Sequence, residues 1–392
     1  MNFIKDQEHL EKKIVLLRLD LNVPIKNGII TDHTRIDKIL PIINFLLKKK
    51  SKILIVSHVG RPKGKKSEEF SLKPICLNLE IKLKKKIYLI KKNIFNLKKK
   101  HLFQDPNYQI NFLENIRFYK EEETNDINFS EHLASLADIF VNDAFSCSHR
   151  AHASVSEVTK FIPSYAGIQL ETELNALKKV TSEIKKPISC IIGGSKISSK
   201  IGLIKNLIPR FDNIIIVGAM ANNILSYKGY PIGKSKIEDN CNNIVDDIFT
   251  TAKYYSCSIF YPEDVAVGKS LEDEAKIKEI NEVISSDLIL DIGPKTVKKI
   301  KDIIEASNSI LWNGPVGYFE NPNFAKGCYE IAKKIVEKNK HNLIYSVAGG
   351  GDTIAVLNKV NAINNFNFVS TAGGAFLEYL EGKELPGIKA LN

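Results

Sequence analysis

The sequence predicts an α/β protein made of two doubly wound parallel-sheet, Rossmann-like domains. Apolar, β-branched segments recur along the whole chain, and the stretches between them are long enough for helices. Pro and Gly interrupt the chain near its middle, at Ile162–Gly167. A chain of 392 residues is also longer than one ordinary core accommodates, so two domains are expected.

The predicted strands form two series. Those of the first half are Ile14–Asp20, Ile53–Ser57, Ile87–Ile90, Ile110–Leu113 and Ile139–Asn142. Those of the second half are Ile188–Ile192, Asn213–Val217, Ser258–Tyr261, Leu288–Asp291, Ser309–Trp312, Leu343–Ser346 and Phe368–Ser370. In doubly wound folds the ligand lies beyond the carboxyl ends of the strands, so the residues that follow each strand are the informative ones.

The composition, 44% apolar and 26% charged, is that of an ordinary globular protein. No apolar run is long enough to span a bilayer and the first residues lack a signal peptide's apolar centre, so a cytoplasmic location is expected. The six cysteines have no paired spacing, which suits neither a disulfide framework nor a zinc site. We interpret them as mostly buried residues in a reducing compartment.

The net charge of +11 is uneven along the chain. Residues 1–170 carry 29 Lys and Arg against 19 Asp and Glu, whereas residues 171–392 carry 27 against 26. Lysine clusters at 48–50, 84–86 and 98–100 account for part of the surplus, and no aromatic residue is interleaved with them. We interpret the clusters as solvated surface and expect neither a nucleic-acid nor a membrane partner.

Charged and polar residues follow the strands of the first half. They occur in Arg18–Pro24, Ser57–Pro62, Glu114–Phe118 and Asn142–Ala153, and Arg35 adds to them. An arginine fork holds a carboxylate or phosphate through two hydrogen bonds. Arginines at the same end of several elements therefore predict a site for a small molecule with several negative oxygens.

Glycine takes the same positions in the second half. It occurs in Gly193-Gly194, Gly218, Gly293, Gly314 and Gly349–Gly351. Glycine at strand ends leaves room for a nucleotide and lets backbone amides meet its phosphates. Asp352 stands at a predicted helix start, where a carboxylate is either an N-cap or a magnesium ligand.

The segment Gly193–Lys200 has two interpretations. Two glycines followed by Lys196 and Lys200, four positions apart on one helix face, suit polyphosphate binding. The alternative is an ordinary strand-to-helix turn with solvated lysines. It is not a Walker A loop, because the Gly-x4-Gly-Lys-Ser/Thr spacing is absent.

These motifs together resemble the phosphoglycerate kinase family along the whole chain. The matching segments are Arg18–Pro24, Ser57–Pro62, Asn142–Ser154, Gly193–Ile201, Asp291–Lys295, Trp312–Glu320, Gly349–Thr353 and Gly373–Gly387. The resemblance implies reversible transfer of the acyl phosphate of 1,3-bisphosphoglycerate to MgADP, giving 3-phosphoglycerate and MgATP in glycolysis.

The resemblance also implies site residues. The substrate-binding set is Asp20, Leu21, Asn22, Arg35, His58, Val59, Gly60, Arg61, Arg117 and Arg150. The nucleotide-binding set is Lys200, Gly218, Gly293, Glu320, Gly350, Gly351, Asp352 and Thr353, with Asp352 as the Mg²⁺ ligand and Glu320 on the ribose. Arg35 and Lys196 are expected to flank the transferred phosphoryl group, and no general base is needed.

The family pattern further implies two moving domains in a monomer. The expected division is 1–170 plus 377–392 for the phosphoglycerate domain and 171–376 for the nucleotide domain. A helix from about 170 to 186 serves as the hinge for closure, which excludes water. The chain end, Leu385–Leu391, is expected to pack on the first domain.

The sequence departs from the family pattern in its glycine motifs. Ala372 replaces a usual glycine, Phe376 replaces a usual small polar residue, and Gly218-Ala219-Met220 has one glycine fewer than many relatives. These changes bear on how the loops approach the phosphate and the adenine.

The sequence lacks the motifs of two other classes of protein. A dinucleotide dehydrogenase requires Gly-x-Gly-x-x-Gly opening a helix with an acid about 20 residues further on, and no such unit is present. An RNA-binding protein requires stacking aromatics beside its basic residues, whereas the arginines here lie beside Asp20, Asn22 and His58. Another nucleotide-dependent small-molecule kinase is the nearest alternative.

Overall fold

The computed structural model describes residues 1–392, which divide into two compact units. The first unit comprises Met1–Leu174 and Glu384–Asn392, and the second comprises Asn175–Lys383. The sequence placed these divisions at residues 170 and 376.

The first unit is built on a six-stranded sheet. Its strand segments are β1 (Ile14–Leu19), β2 (Ile25–Lys26), β3 (Ile29–Ile30), β4 (Lys52–Val56), β5 (Ile87–Ile90), β6 (Ile110–Leu113), β7 (Ile139–Asp143) and β8 (Ser164–Ala166). The sheet has the order β5-β6-β4-β1-β7-β8, and every pairing in it is parallel. Strands β2 and β3 form a separate small hairpin.

Helices cover both faces of this sheet. They are α1 (Thr34–Lys48), α2 (Lys73–Leu83), α3 (Lys120–Glu123), α4 (Ile127–Ser135) and α5 (Ile168–Thr181). Successive side chains of β1 point to opposite faces. Val15 and Leu17 therefore join the core that contains α1 and α2, while Leu16 joins the core that contains Phe129 of α4. A strand buried on both faces reads as a continuous apolar run, which is why the sequence located β1 well.

The second unit has its own six-stranded parallel sheet and a smaller sheet. The strands are β9 (Ile188–Ile192), β10 (Asn213–Ile216), β11 (Ser258–Phe260), β12 (Asp264–Gly268), β13 (Lys276–Glu279), β14 (Leu288–Ile292), β15 (Ser309–Asn313), β16 (Tyr345–Gly349) and β17 (Phe368–Ser370). The parallel sheet has the order β11-β10-β9-β15-β16-β17, and β13-β12-β14 form an antiparallel sheet. Two parallel-sheet α/β units confirm the predicted fold class.

The helices of the second unit are α6 (Ile201–Leu207), α7 (Ala221–Tyr227), α8 (Asn242–Tyr254), α9 (Pro294–Ala306), α10 (Lys326–Lys340), α11 (Gly351–Lys359) and α12 (Gly374–Leu380). Trp312 of β15, buried completely, lies in the core that contains α9, α10 and α11. Single-turn 3-10 helices occur at Ile4–Asp6, Glu68–Phe70, Ile94–Asn96, Lys99–His101, Ile116–Phe118, Phe145–Cys147, Glu157–Lys160, Ser198–Lys200, Ile280–Glu282, Pro322–Phe324 and Ile363–Asn365.

Some strand predictions need correction. The segment Leu288–Asp291 was expected in a parallel sheet, but it belongs to β14 of the antiparallel sheet. The connection from its partner β12 to β14 contains β13 and a single 3-10 turn, Ile280–Glu282, and no crossover helix, which a parallel pairing normally requires. The strand predicted at Leu343–Ser346 is β16, which begins two residues later, at Tyr345, and ends at Gly349.

The chain end returns to the first unit as expected. Helix α13 (Pro386–Lys389) begins beside Ser148, whose backbone carbonyl accepts from the amide of Gly387 at 2.8 Å. A Cβ on Gly387 would lie 2.6 Å from Val155 and 2.9 Å from the Cα of Ser148, so glycine allows the close approach. None of the helices is both long and apolar enough to cross a membrane.

Candidate functional site

In the first unit, the residues that follow β1, β4 and β7 meet because these strands are parallel and lie at the centre of one sheet. Asp20 is the centre of this set. The Nη1 atom of Arg35 lies 3.1 Å from one carboxylate oxygen of Asp20 and 3.0 Å from the other, and it donates to the Asn22 carbonyl at 2.9 Å. The Ser146 hydroxyl donates to the same carboxylate. Arg35 therefore reaches the strand ends from α1.

The backbone of Gly60 connects two further predicted residues. Its amide donates to Asn22 Oδ1 at 2.9 Å, and its carbonyl accepts from Arg117 Nη1 at 2.9 Å. Gly60 has a φ of +64°, and a Cβ there would lie 2.4 Å from the ring of Phe70. Both the backbone conformation and the space restrict this position to glycine.

Two predicted residues turn their side chains away from the site. Leu21 and Val59 are buried in the core that packs on α1. The backbone amide of Leu21 donates to the Ser57 hydroxyl at 3.2 Å. These positions contribute packing and backbone shape to the site.

Arg18 determines which tautomer of neutral His58 is present. The guanidinium can only donate, so Arg18 Nη2, which lies 3.2 Å from His58 Nδ1, makes that nitrogen an acceptor. Neutral His58 then carries its proton on Nε2. Burial first, and then the charges of Arg18 and Arg117, lower the pKa of His58 well below its ordinary value. His58 is thus an uncharged donor within a cluster of arginines.

A buried hydrogen-bond network holds the side chain of Arg18 in place. The Ser154 hydroxyl accepts from Arg18 Nε at 2.9 Å and donates to Glu122 at 2.7 Å, while the Ser154 amide donates to the other Glu122 oxygen at 2.8 Å. The side chains of Arg18 and Glu122 are completely buried. One hydroxyl therefore connects a buried cation to a buried anion. The sequence interpretation missed Glu122 because it stands in the charged run Glu121–Glu123, which reads as solvated helix surface, and its partner Ser154 is 32 residues further along the chain.

The whole cluster carries excess positive charge. Burial first, and then Arg117, Arg18 and Arg150, lower the pKa of His152 to about 3. Arg117 is almost fully buried, whereas Arg61 is exposed. Uncharged imidazoles among several guanidinium groups form an environment that favours a polyanion.

The second unit contains a cavity of about 510 Å³ at the carboxyl ends of its parallel strands. Gly218, Glu320 and Asp352, three of the residues expected to bind a nucleotide, line it. Apolar residues supply another wall, among them Leu288, Leu290, Val316 and Tyr318. A cavity with one apolar wall and a few polar groups suits a planar base with a polar substituent.

Glycine lets three loops approach one another beside this cavity. A Cβ on Gly193 would lie 1.9 Å from the Pro315 carbonyl oxygen, and one on Gly314 would lie 2.1 Å from the Gly193 carbonyl oxygen. Gly218 has a φ of +68°, and its Cβ would lie 3.0 Å from the Gly194 amide. The neighbours in each case are backbone atoms, which cannot move aside as a flexible side chain can.

Lys200 and Thr353 hold these loops together. The Lys200 ammonium donates to Asn313 Oδ1, and Asn313 Nδ2 donates to the Gly349 carbonyl at 2.7 Å. The buried Thr353 hydroxyl accepts from the Gly314 amide at 2.7 Å. Burial lowers the pKa of Lys200. The interpretation of Lys200 as a solvated surface lysine is therefore wrong.

Lys196 and Lys200 do not share one helix face, contrary to the expectation. Lys196 lies in the loop before the 3-10 turn Ser198–Lys200, and α6 begins only at Ile201. Lys196 is exposed. Glu238, which the sequence did not identify, anchors this loop by accepting from the amide and the hydroxyl of Ser198 at 3.0 and 2.6 Å.

Asp352 lies in the first turn of α11, where Gly350 with a φ of +101° occupies the N-cap position. The N-cap interpretation of Asp352 is therefore wrong, and its exposed carboxylate faces the cavity. Five other predicted nucleotide-binding residues are not among the lining residues of the cavity: Lys200, Gly293, Gly350, Gly351 and Thr353. A Cβ at Gly293 would lie 2.2 Å from Asp264, whose carboxylate accepts from the first amides of α9.

Asp291 is a cavity residue that the sequence placed in a family motif without a role. Its buried carboxylate accepts from the amides of Gly327 and Ile292 at 2.8 and 2.9 Å. Burial raises its pKa to about 7. A Cβ on Gly317 or Gly327 would run into this carboxylate, at 2.3 and 2.5 Å.

Comparison with known proteins agrees with this arrangement. A family model described as phosphoglycerate kinase matches residues 4–383. This chain belongs to the phosphoglycerate kinase family. A phosphoglycerate kinase of Chelativorans is 42% identical over 390 residues, which cover 99% of this chain and 98% of that protein. One of Wolbachia pipientis is 44% identical over 380 residues, with 96% of each chain covered.

Solved structures of phosphoglycerate kinases also match. The structure from Coxiella burnetii is 39% identical with a TM-score of 0.92, covering 99% of this chain and 98% of the other. The structure from Pyrococcus horikoshii is 28% identical with a TM-score of 0.81, covering 100% and 98%. The chain is therefore a phosphotransferase of glycolysis, as the sequence motifs predicted.

The structure accounts for the departures from the phosphoglycerate kinase pattern. Phe376 is completely buried, and a Cβ on Gly349 would lie 2.5 Å from its ring, so Phe376 packs on the end of β16. The amide of Ala372 donates to the Ser370 hydroxyl at 3.2 Å. Ala219 lines the cavity beside Gly218, so its methyl group reduces the space there.

Proposed function

We propose that the first unit binds 3-phosphoglycerate or 1,3-bisphosphoglycerate and the second unit binds ADP or ATP, with direct in-line transfer of the phosphoryl group between them. The observation that carries this proposal is the set of arginines and uncharged histidines at the strand ends of the first sheet. Its charge suits a carboxylate and phosphates on one small molecule.

The residues of the first unit would have two roles in binding the substrate. Arg35, Arg117, Arg61 and Arg150 supply guanidinium donors, and His58 donates from Nε2. Asp20, Asn22 and the backbone at Leu21, Val59 and Gly60 shape the site and orient the donors. Because Arg35 is already held by Asp20, little side-chain entropy is lost when the substrate binds.

The nucleotide would occupy the cavity of the second unit. The base packs on the apolar wall beside Gly218, and Glu320 accepts from the ribose hydroxyls. Amides at Gly350, Gly351 and the start of α11 would donate to phosphate oxygens, since the first amides of a helix have no partners within it. Lys200 and Thr353 keep the loops in position.

A magnesium ion fits this site through Asp352. Mg²⁺ bound to a nucleotide takes one or two carboxylates from the protein and completes its shell with phosphate oxygens and waters. The exposed carboxylate of Asp352 at the cavity meets that requirement. When bound, the ion neutralises phosphate charge.

Arg35 and Lys196 would neutralise the charge on the phosphoryl group during transfer. The acceptor is already an ionised phosphate or carboxylate, so no side chain needs to remove a proton. The reaction also requires that the two ligands meet. We propose α5, within which the chain passes from the first unit to the second, as the hinge for this motion.

The roles of Arg35 can be tested by Arg35→Ala. We expect turnover to fall by orders of magnitude while ADP binding, measured by calorimetry, stays nearly unchanged, because the charge is used mainly in the transition state. Arg210→Ala, an arginine outside both sites, is the matched control. Normal turnover in Arg35→Ala would contradict the proposal.

The role of Asp352 requires a separate experiment. We expect Asp352→Ala to abolish the dependence of ATP binding on magnesium in calorimetry with and without the metal. Asp302→Ala changes an exposed aspartate of α9 and should leave that dependence intact. An unchanged magnesium dependence in Asp352→Ala would assign the metal ligand elsewhere.

We also propose a cytoplasmic monomer. All six cysteines are free and buried, which supports a reducing compartment. Light scattering on the purified chain tests the monomer, and a dimer mass would contradict it.

A further inference from the structure

A second cavity lies in the first unit and shares no residue with the proposed substrate site. It has a volume of about 620 Å³ and lies beside β5, the edge strand of the sheet. The connection between β5 and β6 covers it, and Leu97, Leu102 and Phe103 anchor that connection in the core. The size is that of a small-molecule site.

The floor of this cavity carries an unpaired polar group. Asn111 of β6 is 2% exposed, and its side-chain carbonyl has no hydrogen-bond partner. Its neighbours Ile110 and Phe112 point to the opposite face, into the core with α1. A buried amide oxygen without a partner destabilises the fold, so a leucine here would be the stable choice for packing alone.

Aromatic rings flank the amide. Tyr88 and Tyr108 line the cavity with their ring centroids 5.5 Å apart and their planes tilted by 58°. The rings are not stacked on each other, and Tyr88 is 48% exposed, so its ring is accessible to a flat ligand. Lys92 and His101 line the cavity as polar, exposed residues.

The connection that covers the cavity is held in place. The amide of Ile94 donates to the Tyr119 hydroxyl at 3.0 Å, and the Ile94 carbonyl lies 2.7 Å from His132 Nε2. Near its other end, Gln109 donates to the Ser51 carbonyl at 3.0 Å. The cavity is therefore formed before a ligand arrives.

We propose that this cavity binds a planar heteroaromatic ring with a hydrogen-bond donor and an acceptor on one edge, the chemistry of a nucleobase. The Asn111 amide offers the complementary acceptor and donor side by side, as asparagine does to the edge of adenine. Tyr88 and Tyr108 supply the stacking face. A small ligand is favoured over a nucleic acid because the amide lies at the floor of a cavity.

The test uses the full chain labelled with ¹⁵N at asparagine and tyrosine, titrated with adenosine. We expect saturable shifts of the Asn111 side-chain amide and of the Tyr88 and Tyr108 backbone amides, at concentrations up to about 10 mM, roughly tenfold above a millimolar dissociation constant. Signals near this cavity separate such binding from any binding of adenosine in the second unit.

Variants make the result decisive. Asn111→Leu should raise the dissociation constant read from the Tyr108 amide at least tenfold while raising the melting temperature, because it removes an unpaired buried amide oxygen. Lys100→Ala, on the same connection but outside the cavity, should change neither. Absence of shifts at these residues, or unchanged binding in Asn111→Leu, would overturn the proposal.

Discussion

The buried carboxyl of Asp143, which contacts the start of α5, predicts how the stability of the protein depends on pH. It is the last residue of β7, is completely buried, and accepts from the Leu170 amide at 2.9 Å through one oxygen. Its other oxygen has no hydrogen-bond partner. Burial raises the pKa of this carboxyl to about 7, and hydrogen bonds from the backbone only partly oppose the effect.

The cost of ionising Asp143 follows from that pKa. A pKa of about 7 in the folded chain, against an ordinary value of 3.8, corresponds to roughly 4 kcal/mol at about 1.4 kcal/mol per pH unit. Below the ordinary pKa both states are protonated and nothing is lost. As the pH rises toward 7, the unfolded chain ionises while the folded chain keeps its proton, so stability falls.

The variant Asp143→Asn removes this dependence. The difference in unfolding free energy between variant and wild type should move by about 2.5 kcal/mol in favour of the variant between pH 5 and pH 8. Urea unfolding followed by circular dichroism measures it at each pH. Any constant cost of the amide cancels in this comparison.

A second aspartate supplies the control. At Asp138, burial raises the pKa, but Lys99 and the Ile14 amide outweigh it and hold the pKa below its ordinary value. Asp138→Asn should therefore lose stability relative to the wild type as the pH rises above the acidic range. A pH-independent difference for Asp143→Asn would refute the reasoning.

Three further substitutions test the contacts around the sites. Ser154→Ala breaks the link between Arg18 and Glu122; we expect a loss of about 1–3 kcal/mol in urea unfolding and a higher KM for 3-phosphoglycerate, and an unchanged KM would deny the network a positioning role. Gly193→Ala forces a Cβ against a backbone carbonyl at 1.9 Å, so ADP affinity in calorimetry should fall at least tenfold, and normal affinity would show that the loop can adapt. Gly387→Ala should speed amide exchange in α13, and unchanged exchange would mean that the tail tolerates a side chain.

The sequence predicted the parallel sheets well because their strands are buried on both faces. Ile188–Ile192 and Ile110–Leu113 read as short apolar runs, and the structure has both with these bounds. Strand β13, Lys276–Glu279, was missed because three of its four residues are exposed and the segment is charged. Its partner β12 was missed because it follows β11 without a helix between them.

In the candidate sites, too, some features could be predicted from the sequence and others could not. Arginine and glycine at strand ends predict a ligand site because parallel strands bring those ends together. The structure shows the strand ends meeting around Asp20 and Gly218, and ligand binding there stays a prediction. Contacts that join elements distant in the chain leave no spacing signal. Ser154 lies 32 residues from Glu122, and Asn111 occupies an apolar strand pattern as a single exception.

The central claim is that charge on Arg35 and Lys196 serves phosphoryl transfer from 1,3-bisphosphoglycerate to ADP. The most direct measurement is the coupled assay of ATP formation by the purified wild type and by Arg35→Ala and Lys196→Ala. The account predicts rapid ATP formation by the wild type and a kcat lower by orders of magnitude in each variant. Absence of ATP formation by the wild type, or full kcat in both variants, would contradict it.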